Sequence, residues 1–354
     1  MNDKRILIVG HEIGGQMQLL SSKLRERGFE ATSVALNDDF RNYKNDIKLP
    51  NNVVSRFIFG LWAIFHYDVF HYFWGASIWS VWRFHLLELP LLRLLGKTII
   101  PHFRGLDIVD IKYFDYKRSL ALGETVEKPN LSRKGQLKKL KKWKKYATHI
   151  LISEPDLYDV TGDRAILSPQ VIDLEKWPVS NYREYDRSHL VRIIHAPTSR
   201  RKKGTEFIER AINRLNERGY NIELKIVEKV QAHNLANHYK DSDIGIDQIL
   251  YGWHGKVSVE LMAMGKPVVC YIRSDLEKYR PDLPIVNADI NSLEKEIEKI
   301  ISNQDYRKKI INDGRRYVEK YHDIESNIDL LLNLYGIDVS TTNHNKTIDN
   351  ANVW

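Results

Sequence analysis

Apolar runs of strand length alternate with longer segments of helical spacing along most of the chain. This rhythm constrains the fold more than any single motif does. RILIVG (5–10) reads as a strand, and after the loop EIGG the stretch MQLLSSKLRERG (17–28) reads as an amphipathic helix closed by Gly28. ATSVAL (31–36), DVFHYF (68–73), KTIIPHF (97–103) and THILIS (148–153) continue the strand series. Strands alternating with helices predict an α/β fold with parallel sheets covered on both faces. The rhythm breaks over 168–188, SPQVIDLEKWPVSNYREYDRS, which is rich in Pro, Ser and Asp and reads as a linker. It restarts with VRIIHA (191–196), a helix near 204–218, IELKIV (222–227), a helix near 232–240, DIGID (243–247) and PIVNA (284–288). At about 150 residues per domain, 354 residues suggest two domains. The expected division is an N-terminal domain over 1–170, a linker over 171–188 and a C-terminal domain over 189–320. A helix over 321–338 can return to the N-terminal domain, and a polar tail over 339–354 reads as disordered.

Several function classes drop out on composition. No apolar stretch reaches the roughly 18 residues a spanning helix needs. The opening MNDKRILIVG runs straight into a strand without a secretory pattern, and the single Cys270 excludes an internal disulfide framework. Both point to a cytoplasmic protein. His66, His71, His85 and His102 have no zinc-motif spacing, so no metal is expected. A net charge of +8 favours anionic partners. There is no basic-aromatic array of a nucleic-acid module, which argues against nucleic acid.

Three stretches carry candidate chemistry. EIGGQ (12–16) joins the first strand to the first helix. Gly14 and Gly15 would let backbone approach a ligand, with helix N–H groups behind them, although Gly-Gly turns at strand ends are also common. HAPTSRRKKG (195–204) sets Arg200, Arg201, Lys202 and Lys203 at the end of a strand, where open α/β sheets bind ligands. A departing diphosphate needs such fixed positive charge; a solvated basic turn is the plainer alternative. YGWHGKVSVELMAMGKPVVCYI (251–272) combines a glycine loop, a short helix bearing Glu260 and a Gly265-Lys266-Pro267 stop. Glu260 stands about one turn into that helix, placed to accept hydrogen bonds from a vicinal diol such as ribose.

The GG turn, VIDLEKWPV, the Arg-x-x-Lys-Gly turn and the acid-helix-GKPVV phrase together resemble GT-B fold glycosyltransferases, most of all the retaining nucleotide-sugar enzymes called family 4. The resemblance implies two Rossmann-like domains facing across a cleft, an acceptor-side N-terminal domain and a nucleotide-sugar-binding C-terminal one. It implies transfer from a nucleotide-diphosphate sugar to a glycan or lipid-linked acceptor, in cell-surface polysaccharide synthesis, with no cofactor or metal. It assigns Arg200 and Lys203 to the diphosphate and Glu260 to the ribose. Gly252, Trp253, His254, Gly255, Lys256 and Val257 fall in the donor-binding loop with Gly14 and Gly15 opposite. Two departures stand out. The first glutamate of the family's E-x7-E motif is Gly252 here, with Asp247, Trp253 and His254 available to compensate; DQILYGWHG is similar to a branch reading D-Q-x-L-x-G-W-x-G. Where relatives carry His before Gly-x-Asp, this chain has Arg104 before Gly105 and Asp107, with His102 two residues earlier. His102, Arg104 and Asp107 are the acceptor-side candidates. A nucleotide-sugar epimerase or hydrolase, or a non-catalytic nucleotide-sugar binder, would fit the same pattern.

RKGQLKKLKKWKK (133–145) has eight basic residues and no acid, with Leu137, Leu140 and Trp143 on one helix face. That face either docks on the domain or lies on an anionic membrane surface. FIFGLWAIF (57–65) and WGASIWSVWRF (74–84) add aromatics whose exposure the sequence does not fix.

Overall fold

The structure is a computed structural model that describes residues 4–36, 43–79, 85–230 and 234–338; the polar tail and residues 80–84 lie outside the described residues. Seven strands form the N-terminal sheet: β1 (Ile6–Gly10), β2 (Ala31–Ala35), β3 (Ile47–Lys48), β4 (Val69–Phe73), β5 (Thr98–Phe103), β6 (Leu151–Ile152) and β7 (Ile166–Leu167), in the order β3-β2-β1-β4-β5-β6-β7. Five more form the second sheet: β8 (Val191–His195), β9 (Ile222–Ile226), β10 (Ile244–Ile246), β11 (Val268–Cys270) and β12 (Val286–Asn287), in the order β12-β11-β10-β8-β9. Every pairing is parallel. All residues of β1 and β4 are buried, which is why these stretches read as apolar runs, interrupted in β4 by His71 alone.

Helices cover both sheets. The first domain carries α1 (Gln16–Glu26), α2 (Val53–His66), α3 (Leu89–Leu94), α4 (Ile111–Ala121), α5 (Lys134–Tyr146) and α6 (Tyr158–Thr161). The second carries α7 (Arg200–Lys203), α8 (Thr205–Glu217), α9 (Leu235–Lys240), α10 (Lys256–Ala263), α11 (Ser274–Glu277), α12 (Leu293–Ser302) and α13 (Gln304–Tyr321), before the last helix, α14 (Ile324–Leu334). Ile208, Ala211, Ile212 and Leu215 show the usual logic: their three- to four-residue spacing puts one face of α8 into the core beside Ile193 and Ile244. In α5, Leu140 and Trp143 are buried in the domain core, whereas Leu137 is exposed.

The order of each sheet fixes where a ligand can sit. Chain direction across the sheet reverses between β1 and β4, and again between β8 and β10. Loops leaving the carboxyl ends of such neighbours diverge and open a crevice. These loops carry 11–15 and 74–79 in one domain, and 196–203 and 247–255 in the other.

The chain crosses between domains twice, and the crossings pair with each other. Ile172 N–H donates to the His322 carbonyl at 2.7 Å, and Ile324 N–H donates to the Ile172 carbonyl at 3.0 Å. Beyond this pairing, α14 lies on the N-terminal domain, where Ile324, Ile328 and Leu331 pack with Ile6, Ile8 and Met17. Arg27 holds Glu325 at 2.8 Å and Asp329 at 3.3 Å. The aperiodic stretch after β7 is bound rather than loose: Tyr185 is buried in the second domain's core, and its carbonyl accepts from Arg307 at 2.9 Å.

Candidate functional site

At the second domain's reversal, Lys203 Nζ donates to Asp247 Oδ1 at 2.7 Å. Asp247 Oδ2 accepts from the Gly255 N–H at 2.6 Å and from Ser258 Oγ at 2.8 Å. Burial alone would raise this carboxyl, but Lys203 and the two other donors outweigh it and hold the group below its usual range. The same carboxylate keeps the Lys203 ammonium above its ordinary value, although burial opposes this. The cation is thereby fixed at the start of α10, whose first N–H groups favour an anion. Gln248 shapes the intervening loop: its Nε2 donates to the Trp253 and Tyr271 carbonyls, both at 2.8 Å, and its Oε1 accepts from Leu250 N–H at 2.9 Å. His195 ties β8 to β10 and α8. Its Nδ1 donates to the Ile246 carbonyl at 2.8 Å, and Nε2 accepts from Thr205 Oγ1 at 2.9 Å. Burial draws it to about 4, so it is neutral at physiological pH.

A crevice of about 760 Å³ lies between the domains. Gly14, Gly15 and α1 form one wall; Ile172 to Trp177, Lys256 and Glu260 form the other. Glu260 is buried, with Lys256 Nζ at 3.2 Å and the Tyr239 hydroxyl donating at 3.3 Å. Lys256 also donates to the Gly14 carbonyl at 2.8 Å, so one ammonium joins the two walls. Gly14 and Gly15 take φ of +70° and +74°, and a Cβ on Gly15 would come within 2.8 Å of the Tyr43 ring. The expectation that the α1 terminus awaits an external anion needs correction. Glu12 already stands there, accepting from the Met17 and Gln18 N–H groups at 3.4 and 3.2 Å.

The acceptor-side candidates separate. His102 is a core residue rather than a cleft residue: its Nε2 meets the Ser168 carbonyl at 3.0 Å and its Nδ1 faces His71 Nε2 at 3.3 Å. His71 in turn bonds the Tyr335 hydroxyl at 2.7 Å, so this chain of rings ties β4 and β5 to the end of α14. Asp107 shapes its own turn by accepting from the Arg104, Gly105 and Ile108 N–H groups; burial still pushes its carboxyl up to about 7. Arg104 is different. It is 8% exposed, its guanidinium lies 5.3 Å from the Phe73 ring centre, and neither terminal nitrogen has a hydrogen-bond partner among the described residues. Burial lowers it to about 10 against the opposing charges of Glu12, Glu154 and Asp107. Glu154 also feels the charge of Lys203 in the other domain; burial and Asp156 raise its carboxyl above the usual range.

Lys203 and Gly255 therefore meet at the start of α10, and Gly14, Gly15, Lys256 and Glu260 share the crevice. Arg200 joins neither group: its side chain is half exposed and paired with Glu228 at 3.0 Å and Glu209 at 3.2 Å. Trp253 and His254 are buried beside the second domain's core, and burial draws His254 to about 4. Val257 is half-buried in the first turn of α10. At Gly252, where the resemblance places a glutamate, φ is +90° and a Cβ would lie 2.8 Å from the Arg273 stem. Asp247 does not replace that acid with a free carboxylate, since both its oxygens are bonded. Glu12, Glu154 and Gln248 were not singled out as site residues beforehand. A Gln directly after Asp247 was the one local cue to Gln248. Among the described residues, no group of three or more His, Cys, Asp or Glu could hold a metal ion.

No family model and no curated protein matches the chain. Solved structures do match along its length. Sucrose-phosphate synthase from Thermosynechococcus elongatus aligns at a TM-score of 0.61 and 14% identity, over 94% of this chain and 98% of that one. Anabaena HepE, solved in complex with UDP and glucose, aligns at 0.62 and 11%, over 94% and 99%. A UDP-N-acetylglucosamine 2-epimerase aligns at 0.54 and 12%, over 94% and 97%. Likeness of this extent at such low identity establishes the architecture: the chain has the GT-B fold, as the resemblance implied.

Proposed function

We propose that this protein is a glycosyltransferase that moves a sugar from a nucleotide-diphosphate donor to a glycan or lipid-linked acceptor, with retention at the anomeric carbon, in polysaccharide synthesis. The observation that carries this reading is the interdomain crevice, where buried Glu260 and Lys256 of α10 face the Gly14-Gly15 turn. Its roughly 760 Å³ suits a nucleotide sugar. The ribose diol donates to Glu260, the diphosphate lies toward Lys203 and the start of α10, and Arg104 faces the transferred sugar or acceptor. The anomeric C–O bond to the diphosphate breaks with its electron pair leaving on phosphate oxygen. Lys203 neutralises part of that charge, while an acceptor hydroxyl bonds the anomeric carbon and passes its proton to the departing phosphate oxygen. HepE's complex with UDP and glucose supports the donor class.

A thermal-shift panel of nucleotides and nucleotide sugars finds the donor, and labelled-sugar transfer to candidate acceptors follows. Glu260→Gln is expected to raise KM for the donor about tenfold, the scale of one charge-assisted hydrogen bond, with little change in kcat. An unchanged KM removes Glu260 from the ribose. Because an epimerase shares the fold, the donor is also incubated alone; epimer or free sugar without an acceptor replaces the transferase reading.

A further inference from the structure

Helix α2 is amphipathic the wrong way round for a water-facing surface. Gly60, Ala63 and Ile64 face inward, while Val54, Phe57, Ile58, Trp62 and Phe65 are 47–69% exposed on the outer face. Such a wide apolar face marks a contact with another apolar phase. No helix among the described residues is long and apolar enough to cross a membrane, so this face can lie on a bilayer but not span one. Across a cavity of about 500 Å³ stands α5, with the lysines at 138, 141, 142, 144 and 145 exposed. The apolar face of α5 is spent in the core through Leu140 and Trp143, so α5 offers charge and α2 offers grease. The cavity between them is lined by His11, Arg56, His85, Arg133 and Lys139 against one carboxylate, Asp107, which is already bonded to three backbone N–H groups. Arg133 is paired with Asp110, but Lys139 has no acidic partner among the described residues.

We propose that α2 seats the protein on an anionic bilayer beside the lysines of α5, and that the cavity between these helices takes the phosphate-bearing head of a lipid acceptor. An anionic surface attracts each nearby lysine by about 1 kcal/mol, and the apolar face supplies the remaining affinity. The cavity opens at the reversal of the first sheet, so a head group held there points its next sugar toward the other domain. The acceptor half rests on the glycosyltransferase reading; the bilayer half does not.

Flotation of the full chain tests the surface. Vesicles of phosphatidylcholine with phosphatidylglycerol are expected to carry the protein, and phosphatidylcholine alone to carry much less. Phe57→Glu with Phe65→Glu should abolish flotation, while Lys141→Glu with Lys145→Glu should weaken it and remove its dependence on phosphatidylglycerol. Stabilisation by the donor nucleotide stays intact in both variants, which shows that the domains remain folded. Wild-type-like flotation of the phenylalanine variant overturns the seat. For the cavity, the probe is dodecyl phosphate below its micellar concentration, compared with inorganic phosphate by calorimetry. The alkyl phosphate should bind at least about tenfold tighter, because apolar burial adds to the phosphate contact. Lys139→Glu should lose that binding. Equal affinities mean a free-phosphate site, and no binding of either probe means no site; both outcomes overturn the lipid assignment. Binding without any sugar transfer would instead sink the catalytic reading and leave the surface standing.

Discussion

Lys203 and Arg104 are counterparts: each is a largely buried cation just beyond a strand's carboxyl end, and Glu154 feels both. Their surroundings differ. Lys203 has a carboxylate at 2.7 Å that is itself bonded twice more, whereas the terminal nitrogens of Arg104 have no hydrogen-bond partner among the described residues. Buried guanidinium nitrogens without hydrogen bonds are costly, and a ligand that accepts from them would relieve that cost. Under the proposed function, Lys203 would be a preorganised site for the donor's diphosphate, with its charge fixed in advance, and Arg104 a site that its ligand completes. Preorganisation lowers the reorganisation cost of charge development on a leaving group. The Arg104 site carries its cost in the resting protein.

The largest effect should come from breaking the Lys203 site. Lys203→Met is expected to cut turnover about 10²- to 10³-fold and to destabilise the fold by about 3 kcal/mol, because it strands the Asp247 carboxylate. Its pH dependence sharpens the test. Asp247 is depressed below 3.8, so its contribution is present above that value and lost as pH falls through the lower folded value. Lys203 is raised above 10.5, so its contribution is present below that value and lost as pH climbs through the folded one. Between these limits the wild-type pair contributes evenly. Without its partner the carboxyl shifts upward, so the stability gap between wild type and variant should shrink as pH is lowered toward 4, as read by urea midpoints. A gap that grows with acid contradicts the pairing.

Arg104→Ala should separate activity from stability. Turnover is expected to fall about 10²-fold while the melting temperature holds or rises, since the substitution removes an unpaired buried cation. The substitution forfeits the Phe73 contact, worth about 1 kcal/mol, and the attraction of Glu12, Glu154 and Asp107, which partly offset the relief of burial. A variant that loses several kcal/mol with normal turnover would make Arg104 a structural residue and erase the difference between the two sites.

How much of this was legible in the sequence depends on range. The two sheets follow from apolar runs such as that of β1, because burial on both faces leaves a local signature. The start of α10 was equally readable: Gly255, the helix formers and the Gly265 stop are consecutive. His102 misled because its neighbours in sequence are not its neighbours in space. The His71 ring and the Ser168 carbonyl that engage it lie 31 and 66 residues away, and no local pattern reports them. Glu12 was likewise hidden, since a carboxylate folding back onto the helix behind it looks like any loop acid. At Gly252 the sequence disclosed a missing acid, and only the structure gave the reason, a left-handed backbone packed against the Arg273 stem.

Arg200 supplies the mildest test and bears on how far preorganisation extends. It sits in the same basic turn as Lys203, three residues earlier, yet its guanidinium is shared by Glu228 and Glu209 in solvent-exposed pairs. Such pairs contribute about 0–1 kcal/mol and are weakened by salt. Arg200→Ala should therefore change turnover by no more than about threefold and stability by less than about 1 kcal/mol. Measuring kcat for the donor at low and high salt distinguishes two cases. If the loss is small at both, fixed charge in the turn belongs to Lys203 alone. If it approaches that of Lys203→Met, the arginine must swing from its glutamates onto the bound diphosphate, and the Lys203 site is then also partly assembled by its ligand.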